Sequence, residues 1–492
     1  MRSRQGGDTA LSRRQFLTMA AASGGAALLA ACGGGTAATP TAGGAPTTDA
    51  VAPTTAAAPT AAAVAEPTTS AAPTVAASGG QVTIEWANGW SSAVTQEVLP
   101  LIVADFEKTY PNVKVKYENP GPSQGYTEGI LARLASGSPP DVFYMTSTPT
   151  EYAARGSLVD ISDYMTSAKY AKPDAFFAGP IASCQWQGKT YGLPTSAGAS
   201  AIYSNVSLFK QKNISSARAD FPKTWDDTRR ISKEFLVSDG GTVTQAGLVP
   251  FIGNNWMYPV WMALNGGQLF DVNANKYTIN AENNVQWLDY WLSWLDEQYG
   301  GSLETFTTAG NWDDAYPESQ FALGKQAMVH TGSWVTTDAQ IPFEFEVAKL
   351  PIGPSGTKSV TAFYPNWFGI PKGSKHPDEA FLFIEYMATK GWEIWYKFIM
   401  DTPAWKPFPP DVLPDKLVQS VGEAKAKDFN SFFATYLNDA IPMWNSPIES
   451  FAQETLNTAV GEVLNKKKPA KQALTEAQTA CQAKLEEVLK TS

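Results

Sequence analysis

The chain changes character near residue 80, and that break bounds what can fold. Residues 33–80 are mainly Ala, Thr, Pro and Gly with two charges, Asp49 and Glu66, and no aromatic residue. Such a segment cannot bury enough apolar surface to offset the entropy of ordering it. Its prolines favour extended, solvated backbone, and as a flexible coil it would reach about 35–40 Å r.m.s.. All 16 Trp lie beyond it, in residues 81–492. That body exceeds one ordinary hydrophobic core, so two domains or lobes are expected.

The first thirty-one residues have a separate logic. Ser12-Arg13-Arg14-Gln15-Phe16-Leu17 precedes a small-residue apolar run from Met19 to Leu29. A charged start, a short apolar stretch and small residues before a cut site make a signal peptide. The run is too short for a bilayer, which needs roughly 20 apolar residues. The paired arginines resemble a twin-arginine export signal, a receptor-read address. Leu29-Ala30-Ala31-Cys32 resembles a lipobox, which implies that Cys32 carries lipid and anchors the chain.

The whole chain has a net charge of −10. Arg2, Arg4, Arg13, Arg14 and Asp8 lie in the leader, so removing it leaves a more acidic body. That balance argues against nucleic acid as a partner. Beyond Cys32 only Cys184 and Cys481 remain, either paired in an oxidising compartment or both free and buried. His330 and His376 are the only histidines, and no serine-hydrolase elbow, phosphate loop or zinc-protease helix is present. No metal, cofactor or catalytic residue is therefore expected.

The body opens with alternating Val82-Thr83-Ile84-Glu85-Trp86, then Val94, Val98, Leu101, Ile102 and Phe106 at helical spacing. Val113–Tyr117 alternates again, Tyr126–Ala135 has a helical apolar side, and Asp141–Met145 reads as a buried strand. This β-α-β-α-β order predicts a parallel sheet covered by helices on both faces. Ligands of such sheets bind beyond the carboxyl ends of the strands. Those ends are Asn88-Gly89-Trp90-Ser91 and Met145-Thr146-Ser147-Thr148.

From residue 82 onward a series of motifs, in order, resembles the sugar class of extracellular solute-binding proteins. They include Phe106-Glu107-Lys108 with Pro111-Asn112-Val113, and Ala135-Ser136-Gly137-Ser138-Pro139-Pro140-Asp141. Further matches are Gly188-Lys189-Thr190-Tyr191-Gly192-Leu193-Pro194 and Lys223-Thr224-Trp225-Asp226-Asp227. The most recognisable is Phe321–Met328 with Gly332-Ser333-Trp334; Gly369-Ile370-Pro371-Lys372-Gly373 is another. The resemblance, shared with maltose-binding proteins, implies an α/β fold of the type II periplasmic-binding-protein kind. Two lobes would be joined by a multi-strand hinge with a ligand cleft between them. It implies lobe 1 over 81–197 and 348–400, and lobe 2 over 198–347 and 401–492, after a leader (1–31) and a lipidated tether (32–80). It also implies a monomeric component of an ABC importer that delivers carbohydrate to permease subunits from the outer face of the bacterial membrane.

Sugar C–H faces lie against aromatic rings and sugar hydroxyls take directed hydrogen bonds, so cleft-facing Trp residues are the candidates. Trp334 follows the Lys-x-Ala-Met motif, and Trp444 precedes a C-terminal helix. Tyr364, Asn366 and Trp367 enter a strand; Trp256 and Trp90 sit in polar loops. These seven are the expected ligand-binding residues. Trp287, Trp291 and Trp294, with Trp392 and Trp395, recur at helical spacing and read as core. Asp313-Asp314 reads as a cap or a hydroxyl acceptor. Thr146-Ser147-Thr148-Pro149 stands where maltose-binding proteins carry an Asp-Arg pair, which points to a sugar other than maltose. The rival readings are a binding protein for a polyamine, sugar phosphate or peptide, a cell-surface glycoside hydrolase, and an adhesion protein.

Overall fold

A computed structural model describes residues 80–118, 125–251, 255–307, 310, 312, 316, 318–338 and 341–491. The leader, Cys32, the tether and Asp313-Asp314 lie outside the described residues.

In chain order the body begins β1 (Val82–Ala87), α1 (Ala93–Thr109), β2 (Val113–Glu118), α2 (Tyr126–Ala135), β3 (Val142–Met145), α3 (Pro149–Ala154) and β4 (Leu193–Pro194). Next come β5 (Ser200–Asn205), α4 (Trp225–Glu234), β6 (Val237–Asp239), β7 (Thr242–Leu248), α5 (Tyr258–Leu264) and α6 (Glu282–Trp294). The strands β8 (Gln326–Gly332), β9 (Phe345–Ala348) and β10 (Trp367–Gly369) follow, then α7 (Pro377–Ala388) and α8 (Lys390–Phe398). The chain closes with α9 (Glu423–Tyr436), α10 (Glu449–Leu464) and α11 (Ala470–Thr491).

Two five-stranded sheets result, ordered β2-β1-β3-β10-β4 and β9-β5-β8-β7-β6. In the first, β1 pairs in parallel with β2 and β3, as the β-α-β-α-β pattern predicts. β10 returns from far along the chain and runs antiparallel to β3, with Trp367 opposite Met145. Ser92 starts α1 by accepting a hydrogen bond from the Thr95 N–H. The helix then buries Val98, Ile102 and Phe106 against Trp86 and Phe383 in the first core.

The second sheet is covered on both faces. On one face Trp225, Trp261, Trp287, Trp291 and Trp294 pack with Leu456, Val460, Leu474 and Leu485 of α10 and α11. On the other, Tyr203, Val329, Phe345, Phe429 and Phe433 form a smaller core. The Trp stripe of α6 is thus packing, as its spacing predicts. Thr224 caps α4 through the Asp227 N–H, and the Trp225 indole N–H donates to the Pro351 carbonyl at 2.9 Å. Cys184 and Cys481 are free, each buried in a different core.

Three segments cross side by side between the sheets. The Thr195 N–H donates to the Asn366 carbonyl (2.8 Å), the Tyr364 N–H to Ala197 (2.8 Å), and the Ala197 N–H to Thr402 (2.6 Å). Gly198 takes a left-handed φ of +49° here, and an added Cβ would lie 2.9 Å from Tyr364. Ala348, Leu350, Val360, Ala362 and Tyr364 still pack in the second lobe, and Trp367 in the first. The middle crossing therefore lies near 364–367 rather than at 348, because the chain stays on the second core until β10 returns.

Candidate functional site

A cavity of about 430 Å³ lies between the two sheets. The first lobe and the crossing segments supply Trp90, Tyr144, Thr146, Asn366, Trp367 and Asp401. The opposite wall comes from Trp256, Tyr316, Trp334, Tyr364, Met443, Trp444, Glu449 and Gln453. All seven residues singled out in the sequence line this one cavity. A larger cavity, about 620 Å³, opens beside Trp405, Phe408 and α9, but holds none of them. The smaller one is the candidate because both lobes build it and polar groups converge on aromatic walls.

The aromatic residues differ in how they are held. Trp256, Trp334 and Tyr364 form a triangle with ring centroids 4.7–5.7 Å apart. Trp334 is the half-buried residue that packs against all three cores. Its ring folds back over Gly332, where an added Cβ would sit 2.1 Å from it. That close approach explains the glycine of Gly-x-Trp. Trp90 packs 4.3 Å from Trp395 and 5.2 Å from Tyr144. Trp367 is anchored by its indole N–H donating to Ser183 Oγ (2.8 Å). Trp444 is almost fully buried, a wall rather than an open platform.

The comparisons with known proteins agree with this architecture. The family model for bacterial extracellular solute-binding proteins matches residues 89–394. The chain belongs to the bacterial extracellular solute-binding protein family. An uncharacterized ABC transporter extracellular-binding protein of Pyrococcus horikoshii is 24% identical over 64% of this chain and 70% of its own. The multiple sugar-binding protein of Streptococcus mutans is 24% identical over 63% and 71%. Among solved structures, an ABC substrate-binding protein of Listeria monocytogenes in complex with cycloalternan has a TM-score of 0.67 at 22% identity, covering 84% of this chain and 99% of that one.

Five polar lining residues of this solute-binding protein escaped the sequence reading: Tyr144, Tyr316, Asp401, Glu449 and Gln453. Tyr144 donates to Asn366 Oδ1 (3.2 Å), and Asn366 Nδ2 donates to Asp401 Oδ2 (2.8 Å). Burial pushes the Asp401 carboxyl up to about 8, against the opposing influence of the nearby Ser196 hydroxyl and the Asn366 amide. Glu449, the first residue of α10, accepts from the Thr148 N–H at 2.7 Å and from Gln453 Nε2 at 2.9 Å. Burial raises it to about 7 despite the Thr148 bond. An acid opening a helix reads as a cap, so nothing local marked Glu449; Asp401 follows an apolar helix with no motif at all. Among the described lining residues none is basic.

One contact has the spacing of a hydrolytic dyad. His330 Nε2 lies 2.8 Å from Ser200 Oγ. Yet the Trp261 indole N–H donates to His330 Nδ1 at 3.0 Å, so Nε2 carries the ring proton and donates to Ser200. This histidine cannot take the serine's proton. Burial also lowers its pKa to about 3, and the pair sits in the sheet beneath Tyr364. Its effect in the solute-binding protein is to fix the Tyr364 hydroxyl, which lies 3.1 Å from Ser200 Oγ.

Proposed function

We propose that this solute-binding protein captures a carbohydrate between its lobes and delivers it to the permease of an ABC importer. The observation that carries the reading is the cavity walled by aromatic rings from both lobes, with carboxyl, amide and hydroxyl groups converging on it. Flat apolar rings suit sugar faces, and the polar groups suit hydroxyls. A ligand touching both lobes favours the closed form, because only differential affinity shifts such an equilibrium. The ligands named for the Streptococcus and Listeria relatives are sugars, which supports the same class here. A sugar phosphate or other anion fits poorly, since no described lining residue is basic.

The twin-arginine leader and lipobox support export and anchoring through lipid on Cys32. The body would then work as a monomer, held by its tether at the outer face of the cytoplasmic membrane. Among the described residues no helix is long and apolar enough to cross a membrane. The test is a saccharide panel followed by tryptophan fluorescence and melting temperature together. A ligand at about 100 times its Kd adds about 2.7 kcal/mol of apparent stability. A sugar that raises the melting temperature and perturbs fluorescence supports the reading. A response only to polyamines or peptides overturns it, and turnover of a glycoside panel would favour a hydrolase.

A further inference from the structure

The C-terminal part of the cavity wall lies outside the residues that match the family model, which end at 394. Asp401 belongs to this part of the wall, and it is the one carboxyl on the side of the crossing segments. Its place is tightly set. Its carbonyl accepts from the Trp392 indole N–H at 3.0 Å, and its Oδ2 accepts from Asn366 Nδ2 at 2.8 Å. Asn366 is itself held by Ser196 Oγ, which accepts from Nδ2 at 3.1 Å, and by Tyr144. The other oxygen, Oδ1, is buried and has no hydrogen-bond partner among the described residues. A buried polar atom left unpaired destabilises the fold, so such an atom calls for a reason.

We propose that Asp401 is a specificity-determining residue of this cleft, taking a hydroxyl of the bound saccharide as the partner its carboxyl lacks. The proposal rests on the carbohydrate reading above. Asn366 and Tyr144 act as positioning residues that aim the carboxyl. The groups around it are Ser196, Asn366, Tyr144 and Tyr396, with Glu449 across the cavity; none is cationic. Burial keeps the carboxyl protonated at neutral pH, so it both donates and accepts, which suits a hydroxyl.

The experiment is a cycle between one side chain and one ligand hydroxyl. A saccharide that binds the wild-type protein is compared with its single-deoxy analogues on wild type and on Asp401→Ala. One deoxy position should weaken wild-type binding by about tenfold and the variant by no more than about twofold. A merely structural role would weaken all analogues alike, and equal losses in both proteins overturn the proposal. If the alanine variant does not fold, Asp401→Asn decides. Between about pH 6 and pH 9.5 wild-type affinity should change at least about threefold while the Asn variant varies less; superimposable profiles overturn the proposal. A wild-type protein that binds no saccharide is seen before any variant is made, and brings down the carbohydrate reading with this one.

Discussion

Glu449 and Thr148 join the two lobes at the edge of the cavity: the Thr148 N–H, just before α3, donates to Glu449 Oε2 at 2.7 Å. The contact is returned one residue on. Glu151 Oε2, on α3, accepts from the Ser450 N–H (3.0 Å) and Ser450 Oγ (2.9 Å) at the start of α10. Each carboxyl thus satisfies backbone donors at the beginning of the other lobe's helix, where free N–H groups and the helix dipole favour it. Arg155 pairs with Glu151 from the solvent side.

Breaking this clasp should loosen the lobes. Glu449→Ala leaves the Thr148 N–H without its partner, at a cost of about 1–3 kcal/mol. Urea unfolding should show that loss, and small-angle scattering of the unliganded protein a larger radius of gyration. An unchanged radius with unchanged stability would mean that the clasp holds nothing.

Two raised carboxyls predict the direction of the pH dependence. Asp401 is held at about 8 and Glu449 at about 7, against ordinary values of 3.8 and 4.5. The folded state keeps protons that the unfolded chain releases. Their stabilisation is therefore full below the ordinary values and is lost as pH rises through about 7 and about 8. Each contributes a slope of up to about 1.4 kcal/mol per pH unit. Melting temperature should fall from about pH 5 to pH 8, and Asp401→Asn with Glu449→Gln should flatten the profile.

Gly332 should be intolerant of a side chain. An added Cβ meets the Trp334 ring, so Gly332→Ala must displace an indole that touches all three cores. Overpacking of this kind costs about 1–3 kcal/mol. Ligand affinity should fall with it, whereas Trp256→Ala should reduce affinity with a smaller loss of stability, since Trp256 packs against only one core. Titration and calorimetry of the two variants would separate these effects.

The thiols of Cys184 and Cys481 should resist a thiol reagent until the protein unfolds. Both are buried and burial raises both pKa values, so little thiolate is available. Rapid labelling of native protein at neutral pH would contradict that packing.

The parallel β1-β2-β3 core was legible because alternation and helical spacing are local patterns, and Thr224-Trp225-Asp226-Asp227 announced its own helix start. The aromatic lining was legible for a different reason. Trp90 and Trp334 stand just past strands and Trp256 on a short 3₁₀ turn before α5, where a large ring belongs to no helical stripe or strand alternation. Asp401, Glu449 and Tyr144 were not legible. Tyr144 looks like any strand residue, Glu449 like any helix cap, and Asp401 like a loop acid. What sets them apart is burial and orientation supplied by segments far away in the chain.

The sequence by itself determined the α/β class and the family, because periodicity and ordered motifs are properties of neighbouring residues. Only the tertiary structure decided that the middle crossing lies near 364–367. It alone showed that Glu449 clasps Thr148, that His330 carries its proton on the side facing Ser200, and that a carboxyl oxygen of Asp401 has no partner among the described residues. Each of these depends on distance and desolvation between residues remote in sequence, and neither quantity is written in the order of the residues.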